Sequence, residues 1–599
     1  MRVHRGLVAS LIIGFEVATA CSSPDTTAET PPTPEVDATV APGEEDAFDA
    51  RPRHAWGLAR FALSDAPSDA EPPGDDADAI PDVSDFHVPG TQPGDLDAAA
   101  YLPPTVCAGC HGGATMPSAP HSTWKASLMA NAGRDPLFFA QLATASQDVP
   151  GVGYFCLRCH VPMSVPTGRA VYGNERALSG IDRDGVSCLF CHSMVDPLGD
   201  DASAVAGDRE ILAALADRPL HYGNAAFVLD PSWLRRGPYA DASPPHAAAV
   251  SPFVKRSEMC GTCHDVGNVR VTRLADGTYQ YVPAGQGTPN ADPTAQFPLE
   301  RTYTEWRLSA FADGGVDAGG LFGGDAGPAV VSTCQDCHMP RVSAQACAFA
   351  GTRSDLARHE FAGASAWVLE IIGMQYAADV DLAALAEGKA NAIAMIQRAA
   401  TVSLSVQGAS LRARVVNRSG HKIPTGHIEG RRMWVGITFT DAAGTTLMEA
   451  GRWDPLTGDL DSATTTVFEM HVGLSPAAAR ITGLDAGTTT HMALADLVVK
   501  DNRIPPLGFD NATYEEAGAG PVGATFANGQ NWADTSFAVP PGAKHARATL
   551  WYQTVTREYV EALRDGNHTD AWGTTLHSLW QSTGKGAPIP AATADLALP

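Results

Sequence analysis

Positive charge is scarce in this chain. Its 599 residues carry 41 Lys and Arg against 67 Asp and Glu, a formal net charge of −26. Nucleic acids are held by clustered cationic side chains, so nucleic acid is excluded as a partner. Long apolar runs are missing as well. The leading stretch from Leu7 to Phe15 ends at Glu16, about half the roughly 20 residues that a membrane-spanning helix needs, and no later segment is longer. Cysteine outside one repeated pattern is limited to Cys21 and Cys347, which excludes a disulfide framework beyond a single bridge.

The repeated pattern is Cys-x-x-Cys-His. It occurs five times, as CAGCH at Cys107, CLRCH at Cys156, CLFCH at Cys188, CGTCH at Cys260 and CQDCH at Cys334. A shuffled chain of this composition would hold roughly 0.01 such pentapeptides. Two thiols one helical turn apart can form thioethers to the two vinyl groups of a haem, and the adjacent imidazole then reaches the iron. Each copy therefore implies one covalent haem c, five in all. Attachment falls to Cys107, Cys110, Cys156, Cys159, Cys188, Cys191, Cys260, Cys263, Cys334 and Cys337, and proximal ligation to His111, His160, His192, His264 and His338. A four-cysteine zinc site has no use for a histidine after every second thiol, which argues against the competing reading.

The start of the chain carries Arg2 and Arg5, a short apolar stretch and small residues before Cys21. This reads as an export signal over 1–20, with Cys21 as a lipidation site, although Ala18 stands where Leu is usual. Residues 21–98 read as a flexible acidic tether: from Ser22 to Ala98 there are 18 Asp and Glu against 3 Arg, with abundant Pro and no sustained apolar period. Residues 99–370 form the motif-bearing domain, mainly α and irregular and organised by its haems. Within it the Gly- and Ala-rich segment Phe311 to Val330 reads as a mobile surface insertion. A linking helix is expected over 371–400 from Leu382, Leu385, Ala392, Ile393 and Ile396, interrupted at Gly388. From 401 to 599 the period becomes two, as in Leu411, Ala413 and Val415, then Val435, Ile437 and Phe439, then Ala548, Leu550 and Tyr552. That predicts a C-terminal β-sandwich-like domain.

An electron-transfer haem needs a second axial ligand. Inside the motif-bearing domain the other histidines are His121, His221, His246 and His359, four donors for five irons. The fifth iron takes His87, Met129, Met339, His421 or His427, or keeps an open position. The loop Asn417 to Gly426 gathers His421 and Lys422, with Arg431 and Arg432 just beyond. It could lend an imidazole to a haem or cations to propionates across the domain boundary.

GVSCLFCH at Gly185, CGTCHDVGN at Cys260 and CQDCHMPR at Cys334 resemble multihaem cytochromes c of the cytochrome c-552/c-554 type, over about Val106 to Ala364. The resemblance implies haem-to-haem electron transfer between redox partner proteins. It also implies that His338-Met339-Pro340 and the later His359-Glu360-Phe361 form a fifth-haem arrangement, making His359 the leading distal ligand, with His246 second. Relatives carry Trp-x-x-Ser-x-His-Ala after the first motif; here Met129 replaces that histidine. No Cys-x-x-Cys-Lys occurs, which counts against ammonia-forming nitrite reduction, and octahaem enzymes need three more motifs. The expected protein is an exported, lipid-anchored pentahaem electron carrier. The alternative is a reductase or oxidase of a small nitrogen or sulfur compound, working at one haem with an open axial position.

Overall fold

The computed structural model describes residues 83–599 apart from 176–177, 200–204 and 289. The export signal, Cys21 and the tether up to residue 82 lie outside the described residues. The tether's last stretch departs from expectation. Phe86, Val88 and Leu96 are buried with Tyr154 and Phe227 in one apolar cluster, so the chain is packed from Val83 onward. Three large apolar side chains are enough to anchor a segment whose composition otherwise signals disorder.

The motif-bearing region, expected to be mainly α and irregular, is built of short helices together with small antiparallel sheets, Tyr279–Tyr281, Val266–Arg273 and Gln296–Glu300 in one and Arg341–Gln345 with Thr352–Ala357 in another. Four motifs lie on Pro104–His111, Val152–His160, Cys188–His192 and Cys334–His338. The fourth straddles the end of Ser257–Gly261, with the His264 amide still bonded to the Cys260 carbonyl at 2.9 Å. Helices of five residues are far below the length that is stable alone. Their termini are therefore capped: Ser187 Oγ accepts from Phe190 N, and Thr333 and Asp336 cap each other reciprocally. The longer helix Pro136–Asp148, capped by Asp135, is the spine of the region. It buries Phe139 and Leu142 towards Val152–His160, and its Ala140 towards Val560, Leu563 and Leu576 of two C-terminal helices, Arg557–Gly566 and Trp572–Ser582.

The expected linking helix is two helices, Ala366–Gln375 and Leu382–Ala399, the second capped by Asp381. Gly388 does not interrupt it. A Cβ there would lie 1.8 Å from the Ala126 carbonyl oxygen, so glycine permits a backbone-to-helix contact. The segment expected to be a mobile insertion also packs. Phe311, Ala318 and Phe322 are buried with Val331, Ala362 and Met395, and Val316–Asp317 pairs with Val330–Val331.

The C-terminal strands follow the period of two. Ala400–Gln407, Ser410–Asn417 and Trp532–Ala538 form a three-stranded antiparallel sheet. A seven-stranded sheet has Arg432–Thr440 between Val467–Leu474 and His545–Gln553, with Ile589–Ala597 beyond the latter. Leu411, Ala413 and Val415 of the small sheet share a core with Val435, Ile437, Phe439, Ala548 and Leu550 of the large one. Each buried side chain larger than alanine contributes about 1.5–3 kcal/mol. Among the described residues no helix is long and apolar enough to cross a membrane.

Candidate haem sites

The attachment cysteines bring the motifs side by side. The thiols of Cys107 and Cys188, of Cys159 and Cys263, and of Cys260 and Cys334 lie close enough to interact. Motif one thus adjoins motif three, while motif four adjoins both motif two and motif five. All ten motif thiols are half-buried and free of disulfides.

The motif imidazoles are oriented from behind. His111 Nδ1 lies 3.0 Å from the Ala346 carbonyl oxygen, His192 Nδ1 2.7 Å from that of Arg236, and His338 Nδ1 2.8 Å from that of Ala362. A carbonyl only accepts, so Nδ1 carries the proton and the Nε2 lone pair is left for a metal. Burial disfavours charge on three of the motif rings, pushing His160 and His338 down to about 4 and lowering His192. His264 differs. Its Nδ1 stands 3.1 Å from the Glu300 carboxylate. Its side chain is about half exposed, and the partial desolvation that works against its charge is outweighed by the bond to Glu300 and that residue's charge, which raise it to about 9.

Two motif imidazoles face a second imidazole. The ring centres of His192 and His359 are 6.2 Å apart with planes inclined by 27°, and those of His338 and His421 are 6.4 Å apart at 17°. A metal–imidazole bond of about 2 Å plus about 1.1 Å from nitrogen to ring centre, doubled, gives about 6.2 Å for one iron between two rings. Both distal rings are also oriented through Nδ1, His359 by the Ala357 carbonyl at 3.1 Å and His421 by that of Lys422 at 3.0 Å. Burial pushes His359 down to about 3 and lowers His421. The donor chemistry at both places therefore suits a haem iron. Among the described residues no three His, Cys, Asp or Glu side chains converge as a metal-ligand group.

His359 thus stands opposite the third motif, not opposite the fifth as the CHMP resemblance implies. The amide of His359 donates to Thr123 Oγ1 at 2.8 Å, which brings the segment after Thr352–Ala357 back against the short helix Pro120–Trp124 and beside His192. The fifth motif meets His421 of the Asn417 to Gly426 loop instead. That loop is locked by charge. Lys422 Nζ bonds Asp501 at 2.7 Å, Arg503 grips the same carboxylate at 2.8 and 2.7 Å, and Arg503 Nη2 reaches Glu305 at 3.0 Å. Glu305 in turn accepts from Lys422 N and Thr425 Oγ1.

The remaining sequence candidates are placed less closely. His121 lies beside the end of the first motif helix, where a Cβ on Gly112 would be 3.1 Å from its Nδ1. His246 is exposed, bonds the carbonyl of Ala247, and is within electrostatic reach of His192. His221 is 3.8 Å from Asp292, and His87 bonds Asp217 at 3.1 Å. His427 is near enough to His160 to influence its charge, but its Nε2 is 3.1 Å from the Tyr559 hydroxyl. Met129 is half-buried, and its carbonyl accepts from Val186 N at 2.9 Å just ahead of the third motif. His421 is one of the sequence's alternatives for the fifth iron, and its place in His421-Lys422-Ile423-Pro424-Thr425-Gly426 between two strands is the signal the sequence offers for it.

No family model and no curated protein matches the chain. Among solved structures, a penta-heme cytochrome c552 from Thermochromatium tepidum is similar with a TM-score of 0.44 and 16% identity, over 83% of this chain and 99% of that one. A likeness that low carries no conclusion about this chain.

Proposed function

We propose that the protein is a multihaem cytochrome c that carries electrons between redox partner proteins through five covalently attached haems. The observation that carries this reading is the pair of facing imidazole sets, His192 with His359 and His338 with His421, each at the spacing of one intervening iron and each beside a Cys-x-x-Cys pair. Bound haem would supply one-electron iron chemistry. The chain's residues hold the attachment sulfurs, present neutral imidazoles with Nε2 free, and limit access of water. The contacts between motif cysteines support electron passage from motif to motif. Export and a lipid anchor at Cys21 belong to the same proposal and rest on the N-terminal sequence.

Mass spectrometry of protein matured in a haem-attaching host tests the reading: five haem additions are expected, and an unmodified polypeptide refutes it. A second reading is favoured by His111, His160 and His264, which have no ring-facing imidazole among the described residues. An iron left five-coordinate there would bind and turn over a small nitrogen or sulfur compound. Electron paramagnetic resonance separates the two, because only that reading yields a high-spin signal that responds to nitrite or hydroxylamine.

A further inference from the structure

We propose that Glu300 is a positioning residue that makes His264 a more basic ligand than His111, His192 and His338 and so lowers the potential of the fourth motif's iron. This rests on the haem reading above.

Three motif imidazoles donate Nδ1–H to neutral backbone carbonyls, whereas His264 donates to a carboxylate at 3.1 Å. A charged acceptor pulls the proton harder and leaves more electron density on Nε2, which favours ferric over ferrous iron. The contact is built into the sheet. Glu300 ends the strand Gln296–Glu300 and is in register with Val266, which begins Val266–Arg273 two residues after His264. Its side chain is only 18% exposed. Thr302 Oγ1 donates to the same carboxylate oxygen at 3.2 Å, and Thr302 is held by Thr425 and Gly426 of the His421 loop. The mechanism does not otherwise use this carboxylate. Its location also matters, since motif four touches both motif two and motif five. A low potential there places a step in the middle of the electron path.

The test is a spectroscopically monitored redox titration of the full haem-loaded protein, wild type against Glu300→Gln. Glutamine keeps a hydrogen-bond acceptor and removes the charge. One reduction step should become about tenfold more favourable, a rise of about 59 mV for a one-electron couple, while the other four stay put. Thr302→Val, which loosens the carboxylate without removing it, should move the same step upward by less, and supplies the readout if Glu300→Gln fails to fold. Glu300→Asp should restore most of the wild-type value. Five attached haems with wild-type potentials in both Glu300→Gln and Thr302→Val overturn the role of Glu300 and leave the haem reading intact. Absence of attached haem in the wild type removes both.

Discussion

Replacing Lys422 by methionine tests how the C-terminal part holds His421 against the fifth motif. Lys422, Asp501, Arg503 and Glu305 have side chains exposed by 0, 3, 4 and 0%, two cations balanced by two anions. Methionine keeps the length of the stem but leaves one buried negative charge uncompensated and the Ala519 carbonyl without its donor. Breaking a buried ion pair from one side costs about 3–5 kcal/mol, because the partner stays desolvated. The double variant Lys422→Met/Asp501→Asn leaves Arg503 and Glu305 as a neutral pair, so it should recover about 2 kcal/mol of that loss. Denaturant midpoints of the four proteins of this cycle measure the coupling. The low-spin signal of the fifth haem should weaken in the single variant and return in the double. A single variant that costs under about 1 kcal/mol, or a double variant that costs the sum of its parts, would refute the lock.

Further outcomes follow from the same geometry. His421→Met should raise the potential of one haem, as His/Met ligation does relative to His/His, and His359→Ala should convert one low-spin haem to a ligand-responsive high-spin one; redox titration and electron paramagnetic resonance check these. His471, raised to about 9 by the carboxylates of Glu429 at 3.6 Å and Glu469 at 3.2 Å, binds its proton more tightly when folded. Its contribution, on the order of 2 kcal/mol, is present below about pH 6.5 and lost as pH rises towards 9. Thermal midpoints of His471→Gln should therefore fall at pH 6 and be flatter than wild type between pH 6.5 and 9; an unchanged slope contradicts this. Gly388→Ala forces its Cβ to 1.8 Å from the Ala126 carbonyl oxygen, so a loss of about 3 kcal/mol or more is expected in denaturant titration.

What was legible in the sequence was local. The Cys-x-x-Cys-His units fall on or at the end of short helices, and the alternation in Leu411, Ala413 and Val415 marks the buried face of Ser410–Asn417. Those signals live within one turn or one strand. The imidazole pairs do not. Nothing near His192 announces His359, and nothing near His338 announces His421, because each pairing depends on how the chain returns after long connections. Phe311 and Phe322 sit in glycine-rich surroundings, so composition pointed to mobility while two aromatic side chains were enough to fill a core. Composition likewise hid the packing of Phe86 and Val88 at the end of an acidic stretch.

The boundary near residue 400 is a change of secondary structure and not of packing. The strands beyond it have their own large core, yet the same part of the chain grips the motif region at several points. Trp572 packs 4.9 Å from Phe139, Gln147 donates to the Gly566 carbonyl at 2.7 Å, His491 bonds Asp148 at 2.8 Å, and Tyr559 bonds Gln141. All four contacts fall on Pro136–Asp148, the spine behind the second motif. With His421 opposite His338 and Thr425 bonded to Thr302 beside Glu300, the C-terminal part reaches the surroundings of motifs two, four and five. The motif helices are too short to hold these positions alone. On the proposed haem reading the C-terminal strands and helices are a structural half of the redox centre, and their removal would take away His421 and uncover the spine together.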